Sequence, residues 1–234
     1  MGYFFLMVPY LDFHTHRNTF QRNVLEIVSW HPSKPKPQGY YTIGFHPWWT
    51  EAPLKENEKQ LLLGQYQTDL YCFAIGECGL DKLKGIDLDT QELIFLQHIE
   101  IANELHSPII IHCVRQFDRL LQIRKLYGKT PWVIHGFVRN KLLAKQIIDA
   151  GCRVSVAPAQ IMNNTFSEML QFLPLDRMFI ETDSDKSTNI QDRYAVFAKL
   201  NNLSLEKLKE QMIQNLSSLL DKQKMQEVMV SLGK

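Results

Sequence analysis

The sequence lacks a marked excess of charge of either sign. Its 26 Lys and Arg residues nearly balance 25 Asp and Glu residues, which leaves a formal net charge of +1. A protein that holds nucleic acid nonspecifically needs a broad basic face that follows the phosphates. Such a surface is not expected here, so any nucleic-acid substrate must be held by local contacts.

The sequence also lacks a CxxC pair, a recognisable leader and a long apolar run. Its four cysteines lie in or beside apolar, strand-like segments, where a reduced thiol packs as a small hydrophobe; they are Cys72, Cys78, Cys113 and Cys152. The apolar opening from Gly2 to Val8 has no basic leader or cleavage site, and no later segment approaches the roughly 18 apolar residues of a membrane span. We therefore expect a cytoplasmic protein without membrane association.

Eight short apolar runs, rich in β-branched and aromatic residues, are present instead. Amphipathic segments separate most of them, a pattern typical of parallel βαβ units. The runs are Val8 to Phe13, Val24 to Trp30, Tyr40 to Phe45, Leu70 to Gly76, Pro108 to Ile111, Trp132 to Ile134, Arg153 to Val156 and Met178 to Ile180. Eight parallel strands in 234 residues predict one domain, residues 1–234, with the α/β fold of a TIM-type (β/α)8 barrel.

Helical spacing is clear after the fourth run, where apolar residues recur every three or four positions from Leu93 to Leu105. Thr90 is positioned to cap that helix, and Ser204 is a plausible start for the last one. Further helices are predicted at Phe117 to Tyr127, Lys141 to Ala150, Thr165 to Phe172, Arg193 to Leu200 and Leu205 to Leu220.

The first third of the chain departs from this alternation. Only Arg17 to Asn23 separates runs one and two, and the proline-rich segment His31 to Gln38 separates runs two and three. Both gaps are too short for the usual crossover helix. We therefore expect these helices to be shortened or missing, with an uncovered outer side of strands 1–3 on which a homodimer would form.

Several of the runs carry metal-ligand residues at their carboxyl ends. His14 and His16 are two positions apart, so in a strand they face the same side; alone, such a pair is more often a hydrogen-bonded core or surface pair. Four further runs end in a residue of the same kind, namely Glu77, His112, His135 and Asp183. Because the carboxyl ends of barrel strands meet at one rim, all six side chains are predicted to lie in one pocket.

This set of residues predicts a divalent-metal site. That many buried polar groups in one place would be costly without a cation. Four histidines and two carboxylates suit Zn, Mn, Mg or Co, and they suffice for two ions that share a carboxylate. We therefore predict one or two divalent metal ions of open identity.

Six short motifs, in this order, resemble those of the TatD-type metal-dependent deoxyribonucleases, which are amidohydrolase-like barrel hydrolases. They are Asp12-Phe13-His14-Thr15-His16, Gly44-Phe45-His46-Pro47, Gly76-Glu77-Cys78-Gly79-Leu80-Asp81, Ile111-His112-Cys113-Val114-Arg115, His135-Gly136-Phe137 and Glu181-Thr182-Asp183. The resemblance covers Asp12 to about Asp183, and Asn215-Leu216 is similar to the family's closing helix. Cys78 and the pair Ser184-Asp185 depart from the family's pattern, as do the two short early gaps.

The resemblance implies roles for individual residues. It implies that one ion is bound by His14, His16, Glu77 and Asp183. It implies that the second ion is bound by Glu77, His112 and His135, so that Glu77 bridges the two ions. His46 and Arg115 would then face the substrate phosphate.

From this site we expect phosphodiester hydrolysis by a metal-activated water, with Asp183 orienting that water or taking its proton. Arg115 would neutralise charge that builds on the phosphate oxygens, although it is equally well explained as a surface residue of the following helix. Trp48 and Trp49 either stack a terminal base or pack their own loop. The sequence does not distinguish DNA from RNA or a small phosphoester, or exonuclease from endonuclease cleavage.

Two other functions fit parts of the pattern. The first is a barrel hydrolase acting on a cyclic amide, lactone or phosphotriester, many of which bridge their metals with a carboxylated lysine; here Glu77 stands at the end of the fourth run. The second is a noncatalytic metal-binding scaffold, but structural sites usually close with four ligands and leave no open position. Both stay as alternatives to the nuclease.

Overall fold

The strands form a barrel in which every neighbouring pair is parallel. The computed structural model describes residues 8–231, so the apolar opening residues 2–7 lie outside the described part. The strands follow one another in sequence order around the sheet. Their bounds are β1 Tyr10–Thr15, β2 Val24–Trp30, β3 Tyr41–Ile43, β4 Cys72–Asp81, β5 Ile109–Val114, β6 Trp132–Ile134, β7 Arg153–Val156 and β8 Met178–Ile180.

Within residues 8–231, eight α-helices accompany the strands. Their bounds are α1 Glu56–Thr68, α2 Leu88–Glu104, α3 Phe117–Tyr127, α4 Lys141–Asp149, α5 Asn164–Phe172, α6 Ile190–Leu200, α7 Leu205–Ser217 and α8 Lys222–Ser231. None of the described helices is long and apolar enough to cross a membrane. The TIM-type barrel predicted from the sequence is confirmed.

The barrel closes between the first and last strands close to the predicted site. An isolated parallel bridge joins Thr15 to Asp183, and the Asp183 N–H donates to the His14 carbonyl at 2.9 Å. The buried Asp12 carboxylate accepts hydrogen bonds from the Thr182 N–H at 2.8 Å and the Thr182 hydroxyl at 2.6 Å. Closure therefore fixes His14 and Asp183 side by side, although 169 positions separate them in the chain.

Strand bounds agree with the sequence for β2, β6, β7 and β8, but three strands extend further than predicted. β4 continues to Asp81 instead of ending at Gly76, and β1 and β5 extend to Thr15 and Val114. The extension of β4 depends on two glycines, since a Cβ atom at Gly76 or Gly79 would overlap a backbone carbonyl of β5. The close approach of β4 and β5 keeps Glu77 inside a paired strand.

Two helices were missed, and one cap was assigned to the wrong residue. In α1 the apolar residues are clustered as Leu61 to Leu63 instead of spaced every three or four positions, and α8 is short and mostly polar. The N-cap of α2 is Asp87, whose carboxylate accepts from the Thr90 N–H at 2.9 Å. The capping prediction for Thr90 was therefore wrong, whereas Ser204 caps α7 as predicted.

The helices expected to be missing after β1 and β2 are absent, since residues 16–23 and 31–40 contain no helix. The outer side of these strands is nevertheless mostly covered. Tyr194 of α6 bonds to the backbone of Leu11 in β1, and the Tyr40 hydroxyl donates to the Glu227 carbonyl in α8 at 3.3 Å. The Glu26 carboxylate of β2 holds the loop at Thr19 and Phe20. The expectation of an uncovered face was wrong. The homodimer stays a prediction, but without the open surface on which it was based.

Candidate metal centre

The six predicted ligands come together around one carboxylate, Glu77. Its Oε2 atom lies 3.3 Å from His14 Nε2 and 3.5 Å from His16 Nε2. Its Oε1 atom lies 3.2 Å from His112 Nδ1 and 2.7 Å from His135 Nε2. Asp183 completes the set, with Oδ1 at 3.4 Å from His16 Nε2. The prediction that these side chains share one rim therefore agrees with the structure.

The donor atoms form three overlapping groups, each within 4.8 Å. The groups are His14, His16 and Glu77; His14, His135 and Asp183; and His46, Glu77 and His112. Glu77 belongs to two of them, as expected of a carboxylate between two ions. Each group offers imidazole nitrogens and carboxylate oxygens, which suit borderline to hard divalent ions.

The hydrogen bonding of the histidines tests whether a cation fits. Both nitrogens of His14 and the Nδ1 atom of His135 are buried without a hydrogen-bond partner among the described residues. The 3.3 Å contact between His14 Nε2 and Glu77 does not have hydrogen-bond geometry. Buried polar atoms left unpaired cost roughly 1–3 kcal/mol each. A cation bound at His14 Nε2 would remove one such cost, so the donor set fits a divalent metal.

Both carboxylates of the cluster carry the negative charge that a metal ligand needs. Burial alone would raise the pKa of Glu77, but the imidazoles of His135, His14 and His46 outweigh burial and hold that pKa well below its usual range. The pKa of Asp183 is also lowered, because the hydrogen bond from His16 and the charges of His14 and His135 outweigh its burial. Burial, with the charge of His135, lowers the pKa of His14 to about 4. Both carboxylates are therefore ionised at neutral pH, and His14 is neutral, as a metal ligand must be. In contrast, Glu77 outweighs burial and raises the pKa of His135 to about 9, so a metal ion bound at His135 would have to displace its proton.

His46, predicted to face the phosphate, lies within the cluster. It is buried, and its Nε2 atom is 2.9 Å from Glu77 Oε1. The Trp48 N–H donates to His46 Nδ1 at 3.1 Å, which fixes the ring. His46 can therefore reach either a metal ion or a substrate oxygen beside Glu77.

Arg115, the other predicted phosphate contact, lies elsewhere. Its side chain is exposed just before α3, its backbone has φ +54°, and it is not among the residues that line the cavity over Glu77. The structure does not bring Arg115 to the cluster in this conformation. Its predicted role would require a change in the segment that precedes α3.

Asp81 is a site residue that sequence reasoning missed. Its Oδ2 atom lies 2.9 Å from His112 Nε2 and accepts a hydrogen bond from Trp48 Nε1 at 2.6 Å. This bond turns the other nitrogen of His112 toward Glu77. The signal was available, because positions 77, 79 and 81 of one strand face the same side. Such carboxylate partners orient metal-binding histidines and raise their basicity.

Two further polar groups support the cluster from behind. The Ser29 hydroxyl of β2 donates to Glu77 Oε2 at 3.0 Å. The Glu181 carboxylate accepts from the Gly136 N–H at 2.6 Å and from the Ser155 hydroxyl, so it holds the turn after His135. Sequence analysis assigned no role to Ser29 or Glu181, because their partners lie far away in the chain.

A cavity of about 620 Å³ opens over the cluster. Its floor includes His16, Glu77, His112, His135 and Asp183. Trp48 and Trp49 stand at its rim with exposed fractions of 37% and 46%. Part of the remaining wall consists of His31 and residues 34–37. A volume of this size is typical of a small-molecule or cofactor site.

Comparison with known proteins identifies one family over most of the chain. The profile of the family described as TatD related DNase matches residues 12–221. A metal-dependent hydrolase of Methanocaldococcus jannaschii is 28% identical over 187 residues, which are 75% of this chain and 73% of that protein. The 3'-5' ssDNA/RNA exonuclease TatD of Citrobacter koseri is 30% identical over 149 residues, which are 61% of this chain and 56% of that protein.

Solved structures agree on the fold. The crystal structure of a TatD homologue from Escherichia coli K12 superposes with a TM-score of 0.75 at 20% identity. The superposition covers 92% of this chain and 98% of that one. Among the curated relatives, in contrast, the chain spans about half the length of several that it matches.

Proposed function

Since the chain belongs to the TatD related DNase family, we propose that it is a divalent-metal-dependent phosphodiester hydrolase that cleaves DNA. The observation that carries the proposal is the position of Glu77, whose two oxygens lie between His14 and His16 on one side and His112 and His135 on the other. A carboxylate shared in this way can bridge the two ions of a two-metal hydrolase. Cleavage of nucleic acid is also the activity named for the Citrobacter relative.

We propose two ions, with His14, His16, Glu77 and Asp183 holding one and Glu77, His112 and His135 holding the other. Bound there, Mg, Mn, Zn or Co would act as a Lewis acid toward water and a phosphoryl oxygen. The retained Glu77, in place of a bridging lysine, favours this hydrolase over barrel enzymes that use a carboxylated lysine.

The chain's own residues then orient the reactants. Asp183 is partly exposed to the cavity, and its lowered pKa keeps it ionised at neutral pH. It can therefore orient the attacking water or, where a bound cation makes that water more acidic, accept its proton. His46, beside Glu77, is positioned to contact a nonbridging phosphate oxygen. Arg115 would assist only if its segment moved toward the cavity.

We also propose a reducing, cytoplasmic location. All four cysteines are unpaired and buried, and burial raises the pKa of each thiol, to about 12 for Cys72 and Cys113. Such thiols are protonated at neutral pH and unreactive. They pack as core residues and need no disulfide partner.

The proposal is tested by incubating the purified protein with a single-stranded DNA oligonucleotide and Mg, Mn, Zn or Co in turn. We expect metal-dependent release of nucleotides, abolished by a chelator. Glu77→Gln should lower the rate by more than about 100-fold, because replacing a bridging ligand should cost more than losing a group that merely supports one. Glu104→Gln, at the exposed end of α2, is the matched control. Full activity in Glu77→Gln, with the same metal requirement, would contradict the bridging role.

A further inference from the structure

The segment that replaces the helix after β2 forms a wall of the cavity over the metal centre. His31 and residues 34–37 line that cavity together with His16 and Glu77. Three contacts hold this segment in place. Trp30 Nε1 donates to the Lys34 carbonyl at 2.9 Å, and the Asn18 amide exchanges two hydrogen bonds with the Gln38 backbone, at 2.9 and 3.0 Å. The wall is therefore preorganised, and the three prolines of residues 31–38 restrict it further.

The wall carries two lysines with different surroundings. The positive charge of Lys36 is already paired, because its Nζ atom lies 2.5 Å from Asp69 Oδ2. The same atom lies 5.2 Å from the centre of the Tyr41 ring. Lys34 is exposed and pairs with no carboxylate among the described residues; its Nζ atom lies 5.9 Å from the centre of a Trp49 ring. Lys34 is therefore the cation of this cavity that remains available to an anionic ligand.

The two tryptophans at the rim also differ. Trp48 is fixed, since its Nε1 atom donates to Asp81 and the Lys84 ammonium lies 3.7 Å over its ring. Trp49 packs on His46, with ring centres 4.7 Å apart and planes inclined by 33°, and meets the edge of His31. Nearly half of Trp49 is exposed. It can offer a flat aromatic surface that Trp48 cannot.

These two groups lie next to the metal centre. Trp49 packs on the imidazole of His46, and the Nε2 atom of the same imidazole lies 2.9 Å from Glu77 Oε1. A base stacked on the free face of Trp49 would therefore be connected to Glu77 through two packed rings, those of Trp49 and His46. An aromatic face beside a free ammonium is the combination that binds a base and its phosphate in single-stranded nucleic acid.

We propose that the groove formed by Trp49 and Lys34 is a subsite for the nucleotide adjacent to the scissile phosphate, with its base on the Trp49 ring and its phosphate at Lys34 Nζ. The inference rests on the proposed function, because the metal centre holds the scissile phosphate. The subsite gives the local grip that a chain with a net charge of +1 needs in place of a basic face. It binds every base, since each has a π-face, so it contributes affinity without sequence preference.

The first test measures cleavage by Trp49→Leu and Trp49→Phe in the presence of the activating metal. Two substrates are compared: oligothymidylate, and an oligonucleotide with the same backbone whose sites are abasic. We expect Trp49→Leu to raise KM for oligothymidylate by about 5- to 100-fold, with kcat nearly unchanged. KM for the abasic substrate should not change, and Trp49→Phe should retain most of the affinity. An equal rise in KM for both substrates, or no rise in Trp49→Leu, would overturn the stacking role.

The second test uses Lys34→Met and the salt dependence of KM for oligothymidylate. One phosphate contact on a single strand contributes about 0.7 to the slope of log K against log salt concentration. We expect that slope to fall by about this amount in Lys34→Met and to stay unchanged in Lys82→Met, an exposed lysine outside the cavity. Equal slopes in all three proteins would overturn the role of Lys34.

The two proposals fail in distinguishable ways. A wild-type protein that cleaves no oligonucleotide with any of the four metals would overturn the proposed function and the subsite with it. A wild-type protein that cleaves, with Trp49 and Lys34 variants identical to it in KM and salt slope, would overturn the subsite alone. Thermal unfolding of each variant verifies that it is folded, as expected for substitutions of exposed side chains.

Discussion

At the scale of single residues, the second layer of contacts decides how the metal ligands are presented. His112 has two chemically similar nitrogens, and Asp81 engages Nε2 so that Nδ1 faces Glu77. A motif in the sequence identifies the histidine as a ligand but not the nitrogen that binds. That choice depends on a carboxylate whose position relative to His112 is set by the pairing of β4 with β5.

We predict that Asp81→Asn weakens metal binding by about 10- to 100-fold, because the amide cannot hold His112 as a carboxylate does. Titration of the metal-free protein with Mn or Zn, followed by calorimetry, measures the change in Kd. Asp89→Asn, on the exposed first turn of α2, is the control and should bind as the wild type does. Unchanged affinity in Asp81→Asn would show that His112 does not depend on this contact.

A second residue-scale prediction concerns His98, which is fully buried in α2. Its Nε2 atom accepts from the Phe45 N–H at 3.0 Å, and its Nδ1 atom lies 2.8 Å from the Ile94 carbonyl. The ring must therefore be neutral, and burial lowers its pKa to about 4. Between pH 6.5 and 4 the unfolded chain binds a proton that the folded chain does not. The free energy of unfolding therefore falls as pH drops through that window, by about 3 kcal/mol from this residue.

Urea unfolding in the presence of a chelator, at pH 7 and at pH 5, measures this effect. His98→Gln should be less stable than the wild type at pH 7, by about 1–3 kcal/mol, because the Phe45 N–H loses its fitted acceptor. It should also lose less stability on going to pH 5. His106→Gln, on the exposed side of the same region, should follow the wild type. A pH dependence in His98→Gln equal to that of the wild type would contradict the assignment.

At the scale of elements, local patterns predicted the strands and most helices, but they missed elements whose burial depends on distant partners. Periodic apolar residues identified α3 over Phe117–Tyr127 with the observed bounds. α8 escaped detection because it is short and mostly polar, and one of its main contacts is made by a lysine. Lys224 is buried, and its ammonium donates to the carbonyls of Tyr66, Asp69 and Cys72 at 3.1, 3.2 and 2.7 Å. A lysine in a short polar segment would otherwise be taken as exposed.

We predict that Lys224→Met destabilises the protein by about 2–4 kcal/mol, since hydrogen bonds to a charged group are worth about 1.5–3 kcal/mol and three buried carbonyls lose their donor. Urea unfolding followed by circular dichroism gives the change in the free energy of unfolding. Lys222→Met, two positions earlier and exposed, should be within about 0.5 kcal/mol of the wild type. Equal stabilities of the two variants would mean that α8 is held by its apolar contacts alone.

At the scale of the whole molecule, barrel closure turns six distant residues into one site. The bridge between Thr15 and Asp183 places the ends of the first and last strands together, and Glu77 enters from the opposite half of the strand order. Ligands that come from β1, β4, β5, β6 and the segment after β8 can meet only in the folded barrel. A metal bound by all of them must therefore favour the folded state over the unfolded state.

We predict that a metal concentration of 1,000 times Kd raises Tm by about 8–16 °C. A ligand that binds only the folded state adds about 4.1 kcal/mol to the free energy of unfolding at that concentration. Each 1 kcal/mol raises the Tm of a domain of this size by about 2–4 °C. Differential scanning calorimetry with and without a chelator measures the shift. Glu77→Gln should show little of it, whereas Glu104→Gln should show all of it. A metal-independent Tm in the wild type would contradict the fit of this donor set to a cation.

The sequence by itself determined the barrel and the six residues at its rim. Strand-like runs with ligand residues at their carboxyl ends are local patterns, and parallel strands can bring such ends together only on one side of a closed sheet. Only the tertiary structure decided that Arg115 does not line the cavity, that Asp81 orients His112, and that Lys34 and Trp49 come together at the site. These outcomes depend on contacts between residues that are distant in the chain, and such contacts arise from packing and closure, which no local pattern specifies.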